Sequence, residues 1–427
     1  MRVLLLNQTF YPDQAATSQQ LLDFARHLRD EGCEVTVMAS RRAYSDPSKV
    51  HPAEEIYDGI RIVRIGSTGF GRRSFFHRFV DGFTFEILLL LRLMFSRRQD
   101  LVVAFTSPPL VGLAGLIFTF LRGGKCVQWM MDLNPDISFA VGYLKEKSLV
   151  GRTLTAVLRF TVRHSDYIVV LDRWMRQRMV AHGVSSERIV VVPPWPVTAI
   201  QAANADHGRR FRERHGLGDV FIVCYSGNHS VVHPLDTVLL SALELRHNPK
   251  VLFLFIGGGL RVEDVTRFKQ AHQLDNILQM AHQPRETLHE SLSAPDLQLV
   301  VMGEAMSGLV HTSKIYGVLG AGRPYIFVGP RASHVGDLLD EVPYGFHVEH
   351  GDVRRFVEAI ERAQALDTAE KADIFNANTG YVEAHCTAEH ALAAFLSRVI
   401  HPTTEAERPL RAPTAILPGA GQAPSRA

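Results

Sequence analysis

Four consecutive residues, His311-Thr312-Ser313-Lys314, set an imidazole, two hydroxyls and an ammonium at the mouth of a short apolar run. The run stops at Gly320-Ala321-Gly322-Arg323-Pro324, and Tyr325-Ile326-Phe327-Val328 follows as a buried strand. The pattern predicts a helix capped by Thr312 or Ser313. A helix opening of this kind offers unpaired N–H groups and a positive dipole end, which suits an anion. His311 and Lys314 add side-chain donors. The plain alternative is a solvated lysine in a first turn.

Other candidates sit where strands end. Asp132 and Asp136 follow an apolar strand in Trp129-Met130-Met131-Asp132-Leu133-Asn134-Pro135-Asp136. A carboxylate at such a place can take a proton from a hydroxyl or orient it. Asp136 reads more simply as the start of the next helix. Gly227-Asn228-His229-Ser230-Val231-Val232-His233 and Gly257-Gly258-Gly259 are glycine-led turns that let a backbone approach a ligand. His282-Gln283 reads equally as a ligand contact and as a structural turn.

The elements that position these residues alternate. Strands are expected at 3–6, 34–39, 60–65, 101–105, 126–130, 167–171 and 188–192 in the first half. The second half restarts with strands at 220–225, 251–256, 277–280, 297–302 and 325–328. Helices are expected at 18–30, 235–245 and 388–400. Strands separated by helices imply parallel, doubly wound sheets with ligands at the strand C-terminal ends. The fold class is therefore α/β, in two Rossmann-like domains. The first spans 1–196, the second 210–385, a final helix 386–401, and the Pro- and Ala-rich 402–427 reads as a disordered tail.

Composition narrows the function. A net charge of +2 argues against a dedicated nucleic-acid binder. Cys33, Cys126, Cys224 and Cys386 are widely spaced and fit a reducing compartment without structural zinc. Residues 1–6 read as a strand rather than a signal peptide. Residues 101–121 carry no charge and are long enough to span a bilayer, but Pro108-Pro109 divides them, so a buried strand and helix is expected. Arg72, Arg73, Arg78, Arg92, Arg97 and Arg98 interleave with Phe75, Phe76, Phe79, Phe83, Phe85 and the run 88–91, and Arg78, Phe85 and Arg92 recur every seven residues. Basic charge beside aromatic surface predicts contact with an anionic membrane, against the alternative of a buried helix with solvated arginines.

These residues together resemble glycosyltransferase family 4, of the bacterial polysaccharide-assembly type. Asn7-Gln8-Thr9-Phe10-Tyr11-Pro12-Asp13-Gln14-Ala15-Ala16 is similar to the family's first strand and small-residue loop. The segments 167–171, 183–184 and 188–193 are similar to the end of its first domain. Tyr225-Ser226-Gly227-Asn228 and Ile256-Gly257-Gly258-Gly259 are similar to the start of its second. The resemblance implies a GT-B fold and retaining transfer from a nucleotide-sugar without a metal or other cofactor, UDP favoured over GDP. The sequence itself has no Asp-x-Asp pair and no close His/carboxylate metal cluster. It implies donor binding by Ala16, Thr17, Gly227, Asn228, His229, His233, Gly257, Gly258, His282, Gln283, His311, Thr312, Ser313 and Lys314, with Asp132 catalytic. The acceptor is then a lipid-linked or other glycan, and the place of work the inner face of the cell membrane, approached from the cytoplasm.

Two departures are plain. Many family members carry two glutamates where Leu309 and Gly317 stand here, the second holding the ribose hydroxyls. An Arg and a Lys often stand at the places of Val231 and His233, so His229 and His233 are candidates to replace the missing cations. A non-hydrolysing nucleotide-sugar epimerase shares the fold and is one alternative; a non-catalytic scaffold is another.

Overall fold

The computed structural model describes residues 1–13, 15–43, 46, 48–70, 75–196, 205–342 and 344–401. The expected alternation is present. The first half runs β1 (Arg2–Leu6), α1 (Ala16–Asp30), β2 (Glu34–Ser40), β3 (Glu54–Tyr57), β4 (Ile60–Ile65), α2 (Phe75–Met94), β5 (Leu101–Phe105), α3 (Val111–Arg122), β6 (Lys125–Trp129), α4 (Asp136–Ala140), α5 (Leu149–His164), β7 (Tyr167–Val170), α6 (Arg173–Ala181) and β8 (Ile189–Val191). Its sheet has the order β3-β4-β2-β1-β5-β6-β7-β8, parallel except for β3 against β4.

The second half runs α7 (Ala205–His215), β9 (Phe221–Ser226), α8 (Asp236–Glu244), β10 (Val251–Ile256), α9 (Val262–His272), β11 (Ile277–Met280), α10 (Leu288–Ser293), β12 (Leu297–Val301), α11 (Lys314–Gly320), β13 (Tyr325–Val328), α12 (His334–Glu341), β14 (Gly345–Val348), α13 (Val353–Gln364), α14 (Thr368–His385) and α15 (Ala388–Phe395). The second sheet has the order β11-β10-β9-β12-β13-β14. In both sheets the chain reverses its direction of winding beside the first strand laid down. Such a switch point opens a crevice at the strand C-terminal ends.

Alternation along β1 shows why helices must cover both faces. Val3 and Leu5 join one core with Phe24 and Leu28 of α1. Leu4 and Leu6 join the opposite core with Phe85, Leu89 and Leu93 of α2 and Phe118 of α3. Burying each such side chain contributes roughly 1.5–3 kcal/mol. After Phe395 the chain continues as a π-helical turn over Leu396–Ile400, so the final helix expected at 388–400 changes its winding in the last five residues. This ending packs on the first sheet: Ala391, Leu392, Phe395 and Val399 share its core, and the Phe395 ring lies 5.1 Å from Phe24 and 5.6 Å from Trp129.

The uncharged stretch around Pro108 is the buried strand β5 and the helix α3, and no described helix is long and apolar enough to cross a membrane. The arginine-and-aromatic stripe expected on α2 requires correction. Phe85 is fully buried against the sheet, so Arg78, Phe85 and Arg92 do not form an outward line. Arg92 is tied to Glu54 of β3 at 2.8 Å. Arg72 and Arg73 lie outside the described residues, and of Phe75, Phe76, Arg78 and Phe79 the helical backbone alone is described. Phe83, Leu88 and Leu91 of that stripe are exposed, together with Ile87 and Met94 on α2, Phe95 just beyond it, and Ile117, Phe120 and Leu121 on α3.

Candidate active site

The end of β9 and the turn after it meet Lys314, and the turn after β10 packs against that turn. The Nζ of Lys314 donates to the Tyr225 hydroxyl and, at 3.4 Å, to the carbonyl of Asn228. The Tyr225 hydroxyl in turn donates to the same carbonyl at 2.9 Å. The ammonium also lies 4.2 Å from the centre of the Tyr225 ring. All these partners are neutral. Burial without a counter-ion pushes the lysine down to about 7.

Two glycines make room for this arrangement. Gly227 has φ +140°, and a side chain there would strike Cε of Lys314. Gly257 has φ +138°, and a side chain there would strike the carbonyl oxygen of Gly227. The β9 and β10 turns can therefore nest only as glycines. Gly227→Ala is expected to weaken anion binding at least tenfold by displacing the ammonium. Titration calorimetry with UDP checks this, and circular dichroism confirms that the variant is folded.

The helix expected from the 311–314 motif is present as α11, but it opens differently. Its N-cap is Ser313, and neither Ser313 nor Thr312 makes a side-chain cap. Thr312 is buried, its amide donates to Nε2 of His334 at 3.0 Å, and its hydroxyl has no partner among the described residues. Ser313 is exposed. With seven residues, α11 carries two turns of dipole, so the main cationic group here is Lys314 itself.

His311 is not free to hold an anion. Its Nδ1 donates to Asp172 at 2.7 Å and its Nε2 meets the Tyr316 hydroxyl at 3.0 Å. The ring stacks on His334 with centroids 3.8 Å apart. This cluster joins the two halves of the chain, because Asp172 caps α6 through the Met175 amide while both histidines belong to the second half. Burial raises the Asp172 carboxyl, but the His311 hydrogen bond, the charges of His311 and His334 and the Met175 amide together hold it below the usual carboxylate range. Burial pushes His334 down to about 3, and the charge of His311 adds to the effect.

A ligand atom from each of Asp172, His311 and His334 lies within 4.8 Å of the others, a grouping that sequence spacing does not reveal. Donor chemistry argues against a metal there. Nε2 of His334 accepts the Thr312 amide, so the proton sits on Nδ1, facing Asp172 at 3.7 Å. Both nitrogens of His311 are also engaged. A cation would have to displace protons from two satisfied imidazoles.

His229 and His233 were expected as substitute cations, and the structure corrects this. His229 is buried, its Nδ1 donates to Gly227 O at 3.2 Å, and its Nε2 has no partner among the described residues. Burial and then the charge of Lys314 lower both imidazoles, His233 well below its ordinary value. Near pH 7 they are neutral hydrogen-bonding groups. His282 is exposed beside Gly258, where a side chain at the glycine would come 3.1 Å from its Nε2. Gln283 turns its amide back on Ala281 O at 3.0 Å. Ala16 and Thr17 lie in the first turn of α1, whose N-terminus has no side-chain cap.

Asp132 faces this assembly from the first sheet. Its backbone forms an antiparallel bridge with Val310, and the Leu133 amide donates to Leu309 O at 3.0 Å. The side chain is exposed in the cleft. Although the side chain reaches solvent, it is surrounded by protein deep between the two halves, and this burial raises its carboxyl to about 6 against the opposing His311 charge. Asp136 instead bonds Nε2 of His182 at 2.8 Å, which gives it a structural partner. Asp172, Tyr225, Tyr316 and His334 escaped the sequence reading. Only Asp172, an aspartate closing a strand before a helix, carried a local signal.

Residues 16–195 match the model of the glycosyl transferase 4-like domain. The first half of the chain is thus similar to the glycosyl transferase 4-like domain. It is 25% identical over 287 residues to the probable glycosyltransferase WbjE of Pseudomonas aeruginosa, covering 67% of this chain and 71% of that one. It is also 25% identical over 251 residues to the putative colanic acid biosynthesis glycosyl transferase WcaI of Escherichia coli K12, covering 58% and 61%. The crystal structure of Anabaena HepE in complex with UDP and glucose superposes with a TM-score of 0.70 at 14% identity, over 93% of this chain and 100% of that one. The architecture of the chain is GT-B.

Proposed function

We propose that the enzyme moves a sugar from a nucleotide-sugar, with UDP as the carrier, to a lipid-linked glycan during surface-polysaccharide assembly. The carrying observation is the Lys314 ammonium. It stands among neutral partners at the end of the second sheet, on the segment whose Val310 pairs with Asp132 of the first. A diphosphate supplies the missing counter-ion, and the carboxylate lies across the cleft where an acceptor hydroxyl must lose its proton. UDP and glucose in HepE and the colanic acid role in the name of WcaI support this reading. The second half then holds the nucleotide and the first the acceptor. Retention of configuration and independence from metal are taken from the family resemblance. Incubating the protein with a panel of nucleotide-sugars, membrane extract and excess chelator, then weighing the product lipid by mass spectrometry, tests the whole reading. Product from no donor, or only when a divalent ion is restored, counts against it.

The same proposal places the α2–α3 layer on the membrane. Phe95 is 83% and Phe120 88% exposed, and Arg97 and Arg98 are exposed beside Phe95. Apolar side chains ringed by cations suit an anionic bilayer surface. The double variant Phe120→Asp, Leu121→Asp is expected to lose most of its flotation with phosphatidylglycerol vesicles while its thermal unfolding is unchanged. Equal flotation of both proteins would remove this layer from consideration.

A further inference from the structure

Gly317 stands where the family's second glutamate holds ribose hydroxyls, and it is buried within α11. A hydroxyl donor needs an acceptor, so that contact requires another residue. His233 has the chemistry for it. It lies in the turn between β9 and α8, and its Nδ1 is 2.7 Å from the carbonyl oxygen of Val301, the last residue of β12. A carbonyl only accepts, so the proton is on Nδ1 and Nε2 keeps a bare lone pair. The Gly303 amide on Val232 O at 2.9 Å holds the turn beside the end of β12, and the His233 amide on Ser230 O at 3.0 Å closes the turn on itself.

Three surroundings oppose a second proton on this ring: burial first, then the Lys314 ammonium, then His229, against the single favourable bond to Val301. Lys314 reaches Asn228 O at 3.4 Å, in the same turn that carries His229 and His233, so the ammonium and both rings meet at one loop. His233 is half-buried rather than sealed, and its Nε2 has no hydrogen-bond partner among the described residues.

We infer that His233 is a specificity residue whose Nε2 accepts a hydrogen bond from a hydroxyl on a sugar ring flanking the donor's diphosphate. The inference rests on the donor reading above. Two rings flank a nucleotide-sugar diphosphate, the ribose and the transferred hexose, and their hydroxyls offer the same chemistry. A neutral acceptor also avoids placing a second anion beside the phosphates, as a carboxylate would.

A double-cycle binding experiment tests this. Native protein and His233→Phe, which keeps a ring but no nitrogen, are titrated with UDP, 2′-deoxy-UDP and 3′-deoxy-UDP. Both are then titrated with UDP-glucose and its deoxyglucose analogues. In the native protein, removal of the recognised hydroxyl is expected to weaken binding roughly 5- to 30-fold. In His233→Phe the parent ligand falls by a similar factor, and that same deletion then has no effect. Loss of coupling on a ribose analogue assigns the ribose; loss on a hexose analogue assigns the transferred sugar. If His233→Phe unfolds, His233→Ala reads the same cycle. Binding with every deletion equally costly in native and variant proteins would overturn the inference and leave the donor reading intact. Failure of the native protein to bind UDP or UDP-glucose would overturn both.

Discussion

Lys314→Ala is expected to weaken UDP-glucose binding roughly 10- to 150-fold. Hydrogen bonds from a charged group to an anion contribute about 1.5–3 kcal/mol, and this ammonium faces neutral groups alone until the diphosphate arrives. The effect depends on pH with a definite sign. With the free lysine near 7, the anion needs the protonated form, so affinity falls as pH rises through 7 and approaches a tenfold loss per unit by pH 9. In the empty protein the opposite holds for stability. Between about 7 and the ordinary lysine value the unfolded chain binds more protons, so stability rises with pH across that window. Lys314→Arg keeps a charge at every pH used and is expected to flatten the affinity profile. Calorimetric dissociation constants from pH 6.5 to 9 decide the matter. A flat native profile would remove the unpaired ammonium from the account.

Asp132→Asn is expected to lower turnover by roughly 10²- to 10⁴-fold, the range for loss of a positioned general base, while leaving the dissociation constant for UDP nearly unchanged. Asp132 and Lys314 come from different sheets, and Lys314 alone touches the donor-side turns. A base must be ionised, and this carboxyl is raised to about 6. Native turnover should therefore decline below pH 6, approaching tenfold per unit, and the residual activity of Asp132→Asn should lack that limb. With the lysine titrating near 7, kcat/KM should pass through a narrow maximum between the two limbs. Equal turnover in native and Asp132→Asn enzymes would dismiss the carboxylate as a participant.

The legible part of this chain is the part set by local pattern. Leu101–Phe105 and Val251–Ile256 are continuous apolar runs and form interior strands covered on both faces. Strand β3 was missed because Glu-Glu-Ile-Tyr is a short edge segment that leaves Ile56 79% exposed and gives no hydrophobic alternation. On α2 the seven-residue spacing of Arg78, Phe85 and Arg92 was real, yet spacing alone does not say which side meets the sheet. Phe85 and Leu89 settle it by fitting beneath α2 against β1 and β5.

Local pattern carries the places of the candidate residues in the chain and not their electrical surroundings. Asp132 follows β6 and pairs with Val310, four residues before Lys314 opens α11. The fate of His311 is decided by Asp172, 139 residues away, and the tautomer of His233 by a carbonyl 68 residues away. No local pattern encodes such pairings. The histidines were expected as charges because the family has cations nearby, whereas burial beside an existing ammonium favours the neutral ring.

The ending of the chain has a consequence for its birth. Phe395, Leu392 and Val399 fill a core whose other members nearly all precede residue 196. During translation that core stays open at its last wall while about 200 further residues are made, roughly 10–40 s at ordinary ribosome speeds. For that interval the nascent first half presents Phe24 and Trp129 to solvent or to a chaperone. It becomes a finished unit only when the second half has been threaded out and the closing helix returns.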